Sequence, residues 1–268
     1  LSVWARRWCN RKQQACYLCV VLTALASRGL HFTAEMARDL LRESDDAGHA
    51  ATLPPSLEQR INQFFAEHAC RHVYLDVGSN RGVQIRKVYE PSKFPEAPVL
   101  PIFDKYFGAH RRCDVCSIGL EPNPKHASHL ADVQRKYRSA GAPVLILFAA
   151  ASTSGGNLTF DTNPRDDLAA NIAHYGKPVQ GVTVAQLDLA TVVRLVHTRL
   201  RESGSSLPGV RPRVVMKLDI EGHEVAVWPH LRATGAFCLV DVVFIEWHDA
   251  EWNLRLHPWP DSDTMRAF

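Results

Sequence analysis

The spacing of hydrophobic residues changes close to residue 70. Before that point apolar residues recur every three or four positions, as in amphipathic helices, and Ser56 is placed to cap a helix that runs to Ala69. Beyond it, short apolar runs alternate with longer amphipathic or polar stretches. The runs are Val73–Val77, Ser117–Glu121, Val144–Phe148, Val214–Leu218 and Val240–Glu246.

This alternation predicts the fold class. Short runs rich in Val, Ile and Leu suit strands that are buried on both faces of a parallel sheet. The helix candidates between them are His126–Ser139, Val184–Glu202 and Glu224–Thr234. We therefore expect an α/β fold with a doubly wound, mostly parallel sheet and additional N-terminal helices. The proline-rich segment Glu90–Arg112 is long for a connection and is expected to be an insertion that covers a site.

The N-terminus has the pattern of a targeting segment. A basic stretch, Arg6–Lys12, precedes the apolar run Ala15–Ala26, which is too short to span a bilayer and ends in an Ala-Leu-Ala cleavage pattern. We expect a signal peptide or anchor at 1–26, a helical region at 27–70 and the main domain at 71–268. A first amphipathic or buried helix is the alternative. A leader would direct the chain to the secretory pathway, and without one it would be cytoplasmic.

Composition and charge limit the classes of partner. The chain is 46% hydrophobic and 22% charged, as ordinary globular proteins are. Four of its basic residues lie in the first 26 positions, which contain no acid, so 27 basic residues face 28 acidic ones in the remainder. The main domain has no overall basic bias, and we expect no nucleic-acid partner. Contact with a membrane is expected only through an N-terminal anchor.

The cysteines do not form a convincing metal motif. Cys113 and Cys116 have the spacing of a zinc half-site, but a structural zinc site needs four ligands. The other pair, Cys16 and Cys19, lies in the apolar run. A disulfide between Cys113 and Cys116, or two free thiols, is favoured over zinc, and no metal is predicted. Asn157 begins an Asn-Leu-Thr glycosylation sequon, which matters only if the chain is secreted.

The first strand runs into a glycine-rich turn. Such a turn between a strand and a helix lets a nucleotide-like ligand approach the backbone closely. The dinucleotide fingerprint G-x-G-x-x-G fails twice, because Asn80 and Val83 stand where glycine is required. The spacing is instead acidic-x-Gly-x-x-x-Gly. The candidate ligand-binding residues of this turn are Asp76, Gly78, Ser79, Asn80 and Gly82.

Two further candidate positions follow the second and third strands. Glu121 begins a Glu-Pro-Asn-Pro stretch, and a carboxylate there can accept both hydrogen bonds of a ribose diol. The alternative is an acid that interacts with a helix dipole. Asn123 belongs to the same stretch. The small residues Ala149–Ser152 would leave room for a flat adenine, with Ser152 beside it, or would pack helices onto the sheet.

The fourth and fifth strands end in acidic residues and a histidine. Asp219 and Glu221 could take a proton from a hydroxyl group or orient it. A helix N-cap is the alternative for Asp219, and Glu224 is interpreted as a first-turn acid. His248 follows the fifth strand and could complete a catalytic group with these acids. A metal held by Asp219, Glu246 and His248 depends on geometry that the sequence does not give.

These motifs, in this order, resemble those of the FkbM-type methyltransferases. The resemblance implies the Rossmann-like class I methyltransferase fold and S-adenosylmethionine as cofactor. It implies that Asp76, Gly78 and Glu121 bind this cofactor and that Asp219 and Glu221 border the transfer site. The acceptor would be a hydroxyl group of a sugar, glycan or small metabolite, with protein and lipid left open. The matching stretches are Tyr74–Gly82, Ile118–Pro124, Ser152–Phe160, Met216–Glu224 and Phe244–Glu246.

Two features depart from this resemblance. The insertion Glu90–Arg112 is unusual, and the chain stops soon after the fifth run, with little room for the final antiparallel strand pair of such folds. A truncated chain, at either end, or an incomplete sheet is therefore expected. A non-catalytic nucleotide-binding domain is one alternative function. A nicotinamide-dependent oxidoreductase is another, disfavoured by the glycine spacing and by the 43-residue separation of Gly78 and Glu121.

Overall fold

The computed structural model describes residues 2–5, 56–108, 114–161, 171–172, 181–204 and 211–248. Most of the predicted leader, most of the predicted helical region and Cys113 lie outside the described residues. Among the described helices, none combines the length and the apolar character needed to cross a membrane.

Strands in the described residues form two sheets. The larger sheet has the strand order β1-β10-β9-β2-β3-β4, in which β1 pairs antiparallel with β10 and all other neighbours are parallel. The smaller sheet has the order β5-β8-β6-β7. The strands are β1 (Ser2–Ala5), β2 (His72–Val77), β3 (Val115–Leu120), β4 (Val144–Leu147), β5 (Ala150–Ser152), β6 (Gly156–Asp161), β7 (Asn171–Ile172), β8 (Gly181–Asp188), β9 (Arg213–Leu218) and β10 (Val242–Ile245).

Helices cover the five parallel strands, which confirms the predicted doubly wound, Rossmann-like α/β fold. All five predicted apolar runs are strands of the larger sheet, and β2, β3, β4 and β10 are buried along their whole length. Burial on both faces explains why these runs are continuously apolar rather than alternating. The described helices are α1 (Leu57–Glu67), α2 (Val83–Tyr89), α3 (Leu100–Phe107), α4 (Ala127–Ser139), α5 (Leu189–Gly204) and α6 (Glu224–Ala233).

The order of the parallel strands reverses beside β2. The chain passes outward from β2 to β3 and β4, and later returns to the other side of β2 with β9 and then β10. In open α/β sheets a reversal of this kind leaves a crevice outside the carboxyl ends of the strands, and ligands bind there. The topology thus directs attention to the residues that follow β2, β3 and β9.

The predicted helix over Val184–Glu202 begins too early. Residues 181–188 form β8, which pairs with β6 antiparallel and with β5 parallel, and the helix starts at Leu189. The β-branched residues at 182–184 favour a strand. Asp188 then marks the boundary, because its carboxylate accepts hydrogen bonds from the Ala190 amide at 3.0 Å and the Thr191 hydroxyl at 2.6 Å.

The described part of the insertion, residues 90–108, contributes to the core. Its helix α3 places Phe103 and Phe107 in the interior, where each is almost completely buried. The ring of Phe103 lies 5.0 Å from that of Tyr74 on β2, and the ring of Phe107 lies 5.6 Å from that of His72. The segment therefore covers one face of the sheet.

Cys116 forms a disulfide with a partner other than the expected Cys113. Cys116, within β3, is bonded to Cys70, which precedes β2, and their Cα atoms are 5.4 Å apart. The prediction of a disulfide between Cys113 and Cys116 is therefore wrong. Since β2 and β3 are parallel neighbours with His72 opposite Val115, pairing of the strands brings Cys70 and Cys116 within bonding distance although they are 46 residues apart.

Candidate active site

The residues that follow four parallel strands lie in one row. Each of them continues the hydrogen bonding of its strand to the neighbouring strand, so the row is fixed by the backbone. These bonds run from the amides of Gly78, Glu121, Asp219 and Glu246 to the carbonyls of Leu120, Leu147, Val77 and Leu218, at 3.0, 3.1, 3.0 and 3.0 Å respectively. The candidate residues of separate motifs thus meet at the carboxyl edge of the sheet.

An open cleft lies along this edge. Not all the predicted site residues face it. Those that line the cleft are Gly78, Asn80, Glu121, Asn123, Asp219 and Glu221. Those that lie outside its lining are Asp76, Ser79, Gly82, Ser152 and His248.

Gly78 permits a very close approach between the ends of β2 and β9. It has a φ of +85°, and a Cβ at this position would lie 1.7 Å from the carbonyl oxygen of Asp219. Any side chain would therefore collide with backbone as well as requiring a left-handed conformation. The approach brings the glycine turn and the Asp219–Glu221 segment to the same cleft.

Two backbone amides hold the carboxylate of Glu121. The amide of Asn80, itself at a φ of 50°, donates to Oε2 at 2.6 Å, and the amide of Asn123 donates to Oε1 at 2.8 Å. Only 6% of Glu121 is exposed. Burial raises the pKa of Glu121 to about 7 even though both amides favour its ionised form. The side chain is therefore oriented toward the cleft and held there at some electrostatic cost.

Asp76 lies beneath the cleft rather than in it. The Tyr74 hydroxyl donates to its Oδ1 at 3.4 Å, and its buried Oδ2 has no hydrogen-bond partner among the described residues. Burial raises the pKa of Asp76 to about 6, against the lowering effect of Lys217. Ser79 donates its hydroxyl to the Asp76 carbonyl at 2.8 Å, which closes the turn. Asp76 and Ser79 thus support the cleft from below.

The turn after β9 is shaped by Glu224. This residue is completely buried and accepts hydrogen bonds from the amides of Ile220 at 2.5 Å and Gly222 at 2.9 Å. Between those amides Glu221 adopts a φ of 54°, which is uncommon for a residue other than glycine. Glu224 is therefore a structural acid of the first turn of α6, and the loop that it holds points Glu221 into the cleft.

His248 joins three carboxylates. Its Nδ1 lies 3.3 Å from Glu224, and its Nε2 lies 3.4 Å from Asp219 and 3.5 Å from Glu221. The hydrogen bond to Glu224 raises the pKa of His248 to about 9 despite its partial burial, and the other carboxylates act in the same direction. At neutral pH the ring is an imidazolium that can donate from both nitrogens.

The same cluster has a spacing that a metal ion could use. Ligand atoms of Asp219, Glu224 and His248 lie within 4.8 Å of one another. The imidazolium already supplies a positive charge to these carboxylates, however, and Glu224 is engaged with backbone amides.

Asp219 and Glu221 differ in their other contacts. One oxygen of Asp219 accepts a hydrogen bond from the ammonium group of Lys217, and the other faces His248. Glu221 has an ion-pair contact with His248 through Oε2. Burial raises the pKa of Glu221 to about 7, although the imidazolium lowers it. Glu221 can therefore exchange a proton near neutral pH, as a general base must.

Several residues of the cleft are not among the site residues predicted from the sequence. Phe160 on β6 belongs to the smaller sheet, and it is the buried residue of an otherwise largely exposed strand. Pro122, His126 and Ile220 also line the cleft. Ala150 and Ala151 do so as well, in agreement with the expected space beside small residues. Comparison of the chain with protein-family models, curated proteins and solved structures found no match.

Replacing Gly78 with alanine should be far more damaging than the same change at Gly141. The two glycines have similar positive φ values, +85° and +80°, but a Cβ at Gly141 has no atom within 4 Å. Gly141→Ala should lower the free energy of unfolding by roughly 1 to 2 kcal/mol, the cost of the left-handed backbone. Gly78→Ala should cost about 2 kcal/mol more, because the Asp219 carbonyl must move. Equal costs in urea unfolding would contradict the close approach.

Proposed function

We propose that the protein is an S-adenosylmethionine-dependent methyltransferase that acts on a hydroxyl group of a sugar, glycan or small metabolite. The observation that carries the proposal is the set of residues that line one cleft. It brings together the glycine turn at Gly78, the acid Glu121 after the second parallel strand, and the acids Asp219 and Glu221 after the fourth. The motif resemblance to FkbM-type methyltransferases agrees with this arrangement.

The cleft fits the parts of an adenosyl ligand. Each oxygen of Glu121 accepts one amide hydrogen and has a further lone pair, so the carboxylate can also accept from a ribose diol. Ala150, Ala151 and Phe160 supply an apolar wall for an adenine ring. Gly78 leaves the backbone uncovered beside them.

The charge of the cleft favours this ligand over a dinucleotide. Three carboxylates, Glu121, Asp219 and Glu221, line it, and the described lining residues include no lysine or arginine. A cationic sulfonium is attracted to such a surface, whereas the pyrophosphate of a nicotinamide dinucleotide is repelled. The charges therefore support the methyltransferase and weigh against the oxidoreductase.

The chain's own groups can position an acceptor and take its proton. S-adenosylmethionine would supply a methyl group bonded to a positively charged sulfur. A hydroxyl acceptor that receives this methyl group would lose its proton to a carboxylate of the cleft. Glu221 is suited to receive this proton, while Asp219 and His248 orient the acceptor and Glu221.

Binding of the cofactor should depend on Glu121. We expect titration calorimetry of the full chain to show binding of S-adenosylmethionine and no binding of NAD. Glu121→Gln should weaken binding at least about tenfold, since a hydrogen bond to a charged group is lost, while the exposed Glu96→Gln should bind like the wild type. Because the ribose needs the ionised carboxylate, affinity should fall as the pH is lowered through about 7.

The outcomes separate the alternatives. Failure of a folded chain to bind S-adenosylmethionine would overturn the proposal, and NAD binding would favour the oxidoreductase. Binding of S-adenosylmethionine without methyl transfer to any hydroxyl compound would favour a non-catalytic domain.

Glu221 should control the pH dependence of turnover. A general base acts only when it is deprotonated, so kcat should rise with pH and reach a plateau above about 7. Glu221→Gln should lower kcat on the order of 10²-fold and remove this rise, while affinity for the cofactor stays within a few-fold. An unchanged pH profile in this variant would show that another group accepts the proton.

The disulfide supports a location in the secretory pathway. Bonds such as Cys70–Cys116 persist in oxidising compartments and are rare in the cytosol. Asn157, at the start of the sequon, is exposed on β6, and so is Thr159. Both positions are therefore accessible for modification.

A secreted chain should carry a glycan at Asn157. After expression through a eukaryotic secretory pathway, a peptide N-glycosidase should increase the electrophoretic mobility of the wild type. Asn157→Gln and Thr159→Ala should each abolish the change, whereas Asn171→Gln, outside any sequon, should not. A wild-type chain that enters the medium without a glycan would contradict the accessibility of this site.

A further inference from the structure

A second pocket opens on the face of the larger sheet that is covered by α2 and α3. Its walls come from three sources: side chains of β2, β9 and β10, the polar side of α2, and the described part of the insertion. The lining residues are Tyr74, Gln84, Lys87, Pro98, Val99, Ile102, Lys217 and Phe244. The pocket is open to solvent, and none of its lining residues lines the first cleft.

The inner end of this pocket holds a cation that is already neutralised. Lys217 is 7% exposed and donates a hydrogen bond to Asp219, and the carboxylate of Asp76 lies close enough to raise its pKa. An additional anion would be bound only weakly there, because two carboxylates already interact with the same ammonium group. A neutral hydroxyl group is better suited, since it can accept from an ammonium group and donate to a carboxylate.

The outer end has a cation without a partner. Lys87, on α2, is only half-buried and makes no hydrogen bond or ion pair with any of the described residues. Burial lowers the pKa of Lys87 and the ammonium group of Lys217 lowers it further, while the carboxylate of Asp76 offsets part of this effect. An anion at this point would relieve the repulsion between the two lysines and would pair with Lys87.

Apolar side chains make up much of the remaining lining. Val99 and Ile102 of the insertion pack against the core cluster while remaining partly accessible, and Phe244 and the ring of Tyr74 come from the sheet. A ligand that fills the pocket and contacts both lysines therefore needs an apolar body.

We propose that this pocket binds a small molecule with a hydroxyl group at its inner end, an apolar body, and an anionic group at Lys87. Asp219 connects the pocket to the first cleft, because it lines that cleft and also accepts the hydrogen bond from Lys217. The ligand class is thus an amphipathic hydroxy acid whose hydroxyl lies beside Lys217, the residue that donates to Asp219. Its further assignment as the methyl acceptor rests on the proposed function.

The binding test uses three matched compounds and the full chain without cofactor. The compounds are 8-hydroxyoctanoate, the neutral 1,8-octanediol and octanoate, which lacks the hydroxyl group. Calorimetry should show 8-hydroxyoctanoate binding roughly tenfold more tightly than the diol, the effect of one charge-assisted hydrogen bond. Octanoate should bind more weakly than 8-hydroxyoctanoate, because it has no hydroxyl group to accept a hydrogen bond from Lys217.

Variants locate the anionic end. Lys87→Gln should remove the advantage of the acid over the diol and leave the affinity for the diol unchanged. Lys105→Gln is the matched control, because Lys105 is exposed on α3 and does not line the pocket. Lys87 is half-exposed, so thermal melting should confirm that both variants fold. Equal affinities of the wild type for acid and diol, or an acid affinity insensitive to Lys87→Gln, would overturn the proposal.

A second readout separates this inference from the proposed function. With S-adenosylmethionine present, 8-hydroxyoctanoate should yield its methyl ether together with S-adenosylhomocysteine. If the chain binds both compounds but forms no product, the acceptor assignment is overturned while the pocket stands. If S-adenosylmethionine does not bind, the proposed function and the acceptor assignment fail together, and the titrations with the three compounds still decide whether the pocket binds the hydroxy acid.

Discussion

The cleft depends on how closely the ends of β2 and β9 approach each other. The backbone at Gly78 lies against the carbonyl of Asp219 with no space for a Cβ, and the Asp219 amide donates to the carbonyl of Val77. This contact places two motifs that are far apart in the sequence on one edge of the sheet. Because protein interiors are closely packed, neither motif can shift without moving the other. The glycine turn and the acidic turn are therefore one structural feature.

The close approach of the β2 and β9 ends also has an electrostatic consequence. Burial raises the pKa values of Asp76, Glu121 and Glu221, which all lie at or below the same edge. Lys217 and His248 compensate part of this charge, one from beneath the cleft and one from beside it. The remaining excess of carboxylate is relieved by a ligand that donates hydrogen bonds or carries a positive charge. Groups with shifted pKa values commonly mark functional sites for this reason.

The insertion links the core to the second pocket. Phe103 and Phe107 of α3 complete the packing on one face of the sheet, while Ile102 of the same helix faces the pocket. A segment that the sequence indicates only as an unusual connection thus has two roles. Its buried face is explained by the apolar spacing within 100–107, but its position over Tyr74 follows from the pairing of strands elsewhere in the chain.

Local pattern predicted the five parallel strands, but it missed β1 and the smaller sheet and set one helix boundary wrongly. The five parallel strands are continuously apolar because both faces of the sheet are covered, and this signal needs no knowledge of partners. The helix predicted over Val184–Glu202 includes the segment 184–188, which belongs to β8. Pairing with β5 and β6 decided otherwise, since a strand in a sheet satisfies its backbone through neighbours distant in sequence.

The sequence by itself determined the α/β class, the glycine turn and the acids that follow the strands, because side-chain periodicity and backbone preference are local properties. It could not determine which of those acids face a ligand. Only the tertiary structure places Asp76 beneath the cleft, joins His248 to three carboxylates, adds Phe160 and pairs Cys70 with Cys116. Each of these contacts joins segments that the chain separates widely, so each is decided by strand order and packing rather than by local sequence.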